Sequence, residues 1–274
     1  MSVRQAIGVD LGGTNLRAAH VEVDGDRARI VQQLRRPVGE DHRPEAVVTA
    51  LVELVEAVAP GRRLPVGVGV AGMLHGTGGV VANAPNLGWR DVPLGILAAN
   101  ALGRPVWLEN DLSAICWGEY RFGAAKGFRH LVCVFVGTGV GGGAVLNSRP
   151  HRGAGNVALE IGHVKVAGPD GRACGCGQRG CLEAYAGGRS LALQAEEIAT
   201  PTLLAQRQGD EPLHGGHLDA AARAGCAESR AAMERAGGYL GSVLASTTTL
   251  LNPSCLLLGG TVWNGCELLR ERAL

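Results

Sequence analysis

The sequence predicts an α/β protein of two related domains, and three observations carry that expectation. A strand, glycine turn, strand unit occurs twice about half a chain apart, at Gly12-Gly13-Thr14-Asn15 and at Gly137-Thr138-Gly139-Val140-Gly141-Gly142-Gly143. Short apolar runs of strand length alternate with stretches of helical periodicity. Glycine is abundant, 43 of 274 residues, and clusters at strand ends, where backbone must approach a ligand closely. The expected division is residues 1–111 and 112–274, each domain contributing a phosphate-binding hairpin and the ligand lying in the cleft between them.

The elements follow in order. Residues 6–10 form an apolar strand, 12–15 a turn and 16–23 a second strand. A helix over 44–58 opens on Pro44 and Glu45 and repeats apolar residues at Val47, Val48, Leu51, Leu54 and Val55. Residues 65–71 are a buried strand. Residues 106–108 are another, with Asn110-Asp111 at its end and a helix over 112–122. Residues 131–136 form a very apolar strand that enters the second glycine turn, and 144–146 leave it as a strand. Residues 191–199 and 218–250 are helix-rich, separated over 206–216 by a polar loop in which no chemistry is legible.

Composition narrows the function. The chain is 46% hydrophobic, long enough to bury a sizeable core, and its 26 basic and 25 acidic residues are interspersed. No basic stripe for nucleic acid or anionic lipid results, so a small-molecule ligand is expected. Apolar stretches fall well short of the roughly 20 residues of a membrane span, and residues 1–5 lead into a strand with no signal-peptide run. A cytoplasmic location is the expectation. Cys116, Cys133, Cys226, Cys255 and Cys266 stand singly and read as small core residues.

The Gly137-x-Gly139-x-x-Gly142 spacing matches a dinucleotide fingerprint, which requires a helix directly after the glycines. A strand is expected there instead, which disfavours an NAD-dependent oxidoreductase; a plain hairpin turn and a backbone anion nest both remain open. No Gly-x-x-x-x-Gly-Lys-Ser/Thr occurs, and the chain has only two lysines, Lys126 and Lys165. Phosphoryl transfer would therefore rely on Mg²⁺, backbone amides and helix N-termini. Asp10 is placed to orient that Mg²⁺ through its water shell. Asp111 is the candidate general base for an alcohol nucleophile, and Asn110 can bond a neighbouring hydroxyl. A helix N-cap is the alternative role for an aspartate at such a junction.

The densest chemistry is Glu160-Ile161-Gly162-His163 followed by Cys174-x-Cys176-Gly177-x-x-Gly180-Cys181-Leu182-Glu183. Three thiolates and one imidazole, His163 with Cys174, Cys176 and Cys181, make a closed tetrahedral Cys₃His set suited to structural Zn²⁺. Such an ion would fix a loop poor in apolar residues and orient Glu160 and Glu183, either side of it, toward sugar hydroxyls. A surface Glu160 and a capping Glu183 are the alternatives.

At these residues the sequence resembles the ROK family of repressors, open reading frames and kinases, which includes bacterial glucokinases. The resemblance spans nearly the whole chain: Asp10-Leu11-Gly12-Gly13-Thr14, Ala84-Pro85-Asn86-Leu87-Gly88-Trp89, Glu109-Asn110-Asp111, the second glycine hairpin, the two zinc-loop motifs and Leu258-Gly259-Gly260. It implies an actin-like, ribonuclease-H-like pair of α/β domains flanking a cleft, using ATP with Mg²⁺ and phosphorylating the 6-hydroxyl of glucose or a close analogue. It also implies that Asp111 activates the sugar. Gly72, Asn110, Glu160, His163 and Glu183 would hold the sugar, with His163 binding zinc through one ring nitrogen and sugar through the other. Gly12, Gly13, Thr14, Asn15, Thr138 and Gly139 would line the phosphates, and Gly259 and Gly260 the adenine side. A homodimer or homotetramer is implied.

The sequence departs from the family pattern at Leu159, where glycine is usual, and at His75, where many members carry Asp. Members also continue with further strand and helix beyond the Gly259-Gly260 loop, so either the end is missing here or the nucleotide side is incomplete. Asp10 lies too near the start to leave room for a DNA-binding helix-turn-helix, so a repressor is not expected. Kinases of N-acetylglucosamine, N-acetylmannosamine or kanosamine, a polyphosphate donor, and an inactive sugar-binding relative remain as alternatives.

Overall fold

The computed structural model describes residues 3–76 and 79–274. Residues 1 and 2 of the stretch read for a leader lie outside the described residues. The chain divides into two units, Met1–Gly127 with Arg149–Ala158, and Phe128–Ser148 with Leu159–Leu274. The boundary expected after residue 111 is therefore moved. The helix that starts at Asp111 follows its strand without a linker, and a Cβ on Gly69 would lie 3.5 Å from the Asp111 Cα, so this helix packs on the first sheet.

Unit 1 holds a five-stranded sheet in the order β3-β2-β1-β4-β8. Its strands are β1 (Arg4–Leu11), β2 (Asn15–Asp24), β3 (Arg27–Pro37), β4 (Val66–Val70) and β8 (Val106–Asn110). The β1–β2 and β2–β3 pairs are antiparallel; β1–β4 and β4–β8 are parallel. Side chains alternate across the sheet. Ile7, Val9, Leu11, Val66, Val68 and Val70 are buried on one face, while Gly8, Asp10, Gly67 and Gly69 lie on the other. Helix α1 (Pro44–Val58) shares the core of that buried face through Val47, Leu51, Leu54, Val55 and Val58. The stripe recurs every three or four residues, and each fully buried side chain contributes about 1.5–3 kcal/mol, so α1 is held by packing more than by propensity. A small antiparallel sheet of β5 (Met73–His75), β6 (Val80–Ala84) and β7 (Trp89–Val92), then α2 (Leu94–Leu102), separates β4 from β8; α3 (Asp111–Phe122) follows β8.

Unit 2 is built on β9 (Leu131–Val136), antiparallel to β10 (Val140–Leu146) and parallel to β12 (Cys255–Gly259); the two-residue β11 (Arg149–Pro150), between β10 and β12 in sequence, falls in the stretch that belongs to unit 1. The orders β2-β1-β4 and β10-β9-β12 are the same motif, a hairpin with a parallel third strand, which is the repeat the sequence foretold. One detail differs. The turn is confined to Gly137–Gly139, and Gly141 to Gly143 are strand residues opposite Phe135, Val134 and Cys133, so β10 begins four residues before the expected 144. Helices α5 (Gly188–Ile198), α7 (Gly215–Arg223) and α8 (Ala227–Leu251) bury Leu191, Leu218, Met233 and Leu240 in the second core. Among the described residues no helix is long and apolar enough to cross a membrane.

Candidate functional site

In unit 1 the chemistry gathers at strand ends. The β1–β2 turn is closed by Gly12 N–H donating to Asn15 O at 3.1 Å. Gly13 is required for space, because a Cβ there would lie 2.5 Å from the Asn86 Cβ. Thr14 O accepts from Val38 N–H at 2.9 Å, and Asn15 Oδ1 accepts from Arg35 Nε at 2.9 Å. Asp10 accepts from Arg17 Nη1 at 2.9 Å, a partner that sequence reasoning did not supply.

Asn110, at the end of β8, takes the N-cap role considered for Asp111. Its Oδ1 accepts from Ser113 N–H at 3.0 Å, and its Nδ2 donates to Gly72 O at 3.2 Å. Gly72 is itself pressed against β6, where a Cβ would lie 2.7 Å from Asn83 O. Asp111 is then the first residue of α3, with Oδ1 accepting from Leu112 N–H at 2.9 Å. Asp10, Glu109 and Asp111 line one open groove of about 1170 Å³ floored by Gly8, Gly67 and Gly69. Small residues on that sheet face make the room.

In unit 2 the turn of the second hairpin is braced from below. Gly137 O accepts from Gly188 N–H at 2.8 Å and Thr138 O from Arg189 N–H at 3.0 Å, at the start of α5. Glu183 Oε2 accepts from Val140 N–H at 2.9 Å, and a Cβ on Gly139 would sit 2.3 Å from that oxygen. Glu183 thus fixes the turn with one oxygen, a task not foreseen for it. Glu160 precedes a 3₁₀ turn (Ile161–His163) pressed on β10, since a Cβ on Gly162 would lie 2.1 Å from Val140 O. Burial pushes the Glu160 carboxyl above its ordinary value; the charge of His163 opposes this and that of Glu183 adds to it. Leu159, just before it, is held at φ +67°, a conformation costing about 1–2 kcal/mol for a residue other than glycine. Gly259 ends β12, and Gly260 at φ +103° has Val136 O where a Cβ would stand, 2.3 Å away.

His163, Cys174, Cys176 and Cys181 come together, with one donor atom from each lying within 4.8 Å of every other. Cys174 Sγ is 3.7 Å from His163 Nδ1, and Cys176 Sγ is 3.8 Å from Cys181 Sγ. The second spacing is far too long for a disulfide and equals the edge, about 3.8 Å, of a tetrahedron with Zn–S bonds near 2.3 Å. The four residues fit Zn²⁺. Nδ1 is the ring atom turned to the thiol, so Nε2 of His163 is left for another partner. Burial pushes the Cys174 thiol up to about 12. For Cys176 burial also raises, but the Gln178 N–H, the two neighbouring thiols and the Lys165 charge outweigh it and lower the net value. Lys165 Nζ lies 3.1 Å from Cys181 Sγ, where its charge offsets thiolate charge.

The loop read as chemically silent contains a second cluster, Glu211, His214 and His217. His214 Nδ1 accepts from Gly216 N–H at 3.1 Å and His217 Nδ1 from His214 N–H at 3.2 Å, while His217 Nε2 meets Glu211 at 3.1 Å. A neutral imidazole has one acceptor nitrogen, and both rings spend theirs on backbone, so these residues cap α7 and do not chelate. Histidine is an unusual cap, so no capping signal was legible at this helix start.

Two units sharing a hairpin-plus-parallel-strand sheet, one ending in an Asn-Asp pair and the other carrying a Glu-His-Cys₃ segment, define an α/β protein of the actin-like, ribonuclease-H-like class. The sequence model described as ROK family matches residues 6–273. The chain is 38% identical over 262 residues to a glucokinase of Streptomyces coelicolor, covering 93% of this chain and 81% of that one. It is 34% identical over 269 residues to a glucokinase of Thermotoga maritima, covering 96% and 84%. A crystal structure of a ROK family glucokinase from Streptomyces griseus, in complex with glucose and AMPPNP, superposes with a TM-score of 0.80 at 36% identity, covering 98% of this chain and 87% of that one. The chain belongs to the ROK family.

Proposed function

We propose that the protein is a hexose kinase transferring the terminal phosphoryl group of ATP to the 6-hydroxyl of glucose, with Asp111 as general base. The observation that carries this reading is the end of β8, where Asn110 caps α3 and binds Gly72 O while Asp111 opens the helix on a groove it shares with Asp10. The Asp111 carboxylate takes the hydroxyl proton as the sugar oxygen bonds to the γ-phosphorus and the bond to ADP breaks. Mg²⁺ accompanies the nucleotide and neutralises charge on its phosphates. Asp10 orients that ion through water.

Gly72, Asn110, Glu160, His163 and Glu183 recognise the sugar; Gly12, Gly13, Thr14, Asn15, Thr138 and Gly139 receive the phosphates; Gly259 and Gly260 flank the adenine. Support comes from the close approach of backbone that demands glycine at positions 13 and 260 and from the elevated carboxyl of Glu160. His163, Cys174, Cys176 and Cys181 hold structural Zn²⁺, supported by their tetrahedral spacing. The reading includes a cytoplasmic location and a homodimer or homotetramer, which light scattering would check. A hexose panel assayed with ATP, with zinc quantified in the same preparation, tests the proposal. Glucose should be turned over with about one zinc per chain; preference for an N-acetyl hexose or for polyphosphate would revise substrate or donor, and no turnover of any hexose would reject the reading.

A further inference from the structure

Glu109, one residue before Asn110, has a divided carboxylate. Its Oε1 faces the Asn110 N–H at 3.3 Å, and its Oε2 accepts from Arg152 Nε at 2.8 Å and from Arg152 Nη2 as well. Glu109 has 23% of its side chain exposed and Arg152 43%, so the pair is partly covered on the glutamate side only. Arg152 begins a closed loop. Its carbonyl accepts from Ala158 N–H at 3.1 Å, and Gly153 (φ +69°) and Asn156 (φ +61°) turn the chain back between them. Arg152 and Asn156 line the same groove as Asp10, Glu109 and Asp111. After Ala158 the chain runs through Leu159 at φ +67° directly into Glu160. A strained non-glycine residue persists only where its surroundings over-determine it.

From these contacts we infer that Arg152 is a positioning residue, a latch whose ion pair with Glu109 clamps the 152–158 loop to the end of the strand that leads through Asn110 into Asp111 and so fixes the chain's departure toward Glu160. The inference rests on the glucose-kinase reading. Breaking the latch should loosen the sugar groups at both ends of the loop while leaving the nucleotide residues undisturbed. Arg152 touches no reacting atom, and its effect passes through Glu109 and the loop.

The test is a double-mutant cycle of Arg152→Gln and Glu109→Gln, with KM measured separately for glucose and ATP and with thermal midpoints recorded. Each single variant should raise KM for glucose about two- to fivefold, on the scale of one partly exposed ion pair. KM for ATP should hold, the double variant should be no worse than the poorer single one, and Arg152→Lys should recover part of the loss. Additive effects, equal shifts in both KM values, or unchanged glucose kinetics would overturn the latch. Hydrogen exchange of amides 153–158 gives a reading independent of activity. Faster exchange in Arg152→Gln supports the latch, and unchanged exchange rejects it, even if the parent protein proved inactive on glucose and the functional reading had failed on its own account.

Discussion

Glu160 shows how one residue's surroundings set its chemistry. Its carboxyl is raised first by burial, and in the proposed role it must be ionised to accept a sugar hydroxyl hydrogen. A raised pKa means that protonation begins at a higher pH than for an exposed glutamate. Glucose affinity should therefore fall as pH drops, the fall beginning above the ordinary carboxylate range. Calorimetric titration of glucose at descending pH measures this, and Glu160→Gln should bind weakly and lose the pH dependence. The sequence identified Glu160 as a candidate but not its environment, because Gly162 seating against Val140 O depends on a contact some twenty residues back in the chain. Glu183 was legible only in part: its position beside Cys181 could be read, whereas its hold on Val140 N–H needed the folded hairpin.

At the level of elements, the loop carrying the proposed zinc ligands is short of regular structure. Between His163 and Glu183 the backbone forms isolated bridges, Lys165 with Cys181 and Ala173 with Arg179, and little else of sheet or helix. A bound ion would supply the order that apolar packing does not. Removing the proposed zinc by chelation, or replacing Cys176 by Ser, should weaken glucose binding more than ATP binding, because Glu160 and Glu183 both flank the loop, whereas of the two phosphate hairpins only the second is braced by Glu183. Equal loss of both affinities, measured by titration with each ligand, would mean that the metal supports the fold as a whole. Helix α1 was readable from apolar residues recurring at helical spacing, and β9 from a short apolar run that enters a glycine turn. Edge strand β3 was not, since it is mostly exposed and rich in Arg and Gln, and the small β5–β7 sheet consists of strands too short to show a period.

For the whole molecule, the two-unit plan was legible from a repeated glycine hairpin, and the repeat proved to be a shared strand order. The boundary was not legible, because residues 149–158 return to unit 1 after β10 and no local signal marks a return. The proposed work is divided by residue: Asp111 handles the proton, while Gly72, Asn110, Glu160, His163 and Glu183 recognise the sugar. That division is tested most directly by Asp111→Asn, assayed for glucose-dependent ATP turnover and, on the same sample, for glucose binding by calorimetry. Turnover should fall by about 10²–10⁴-fold, the usual worth of a general base, with glucose affinity nearly unchanged. Turnover near that of the parent protein, or glucose binding lost in step with turnover, would contradict it.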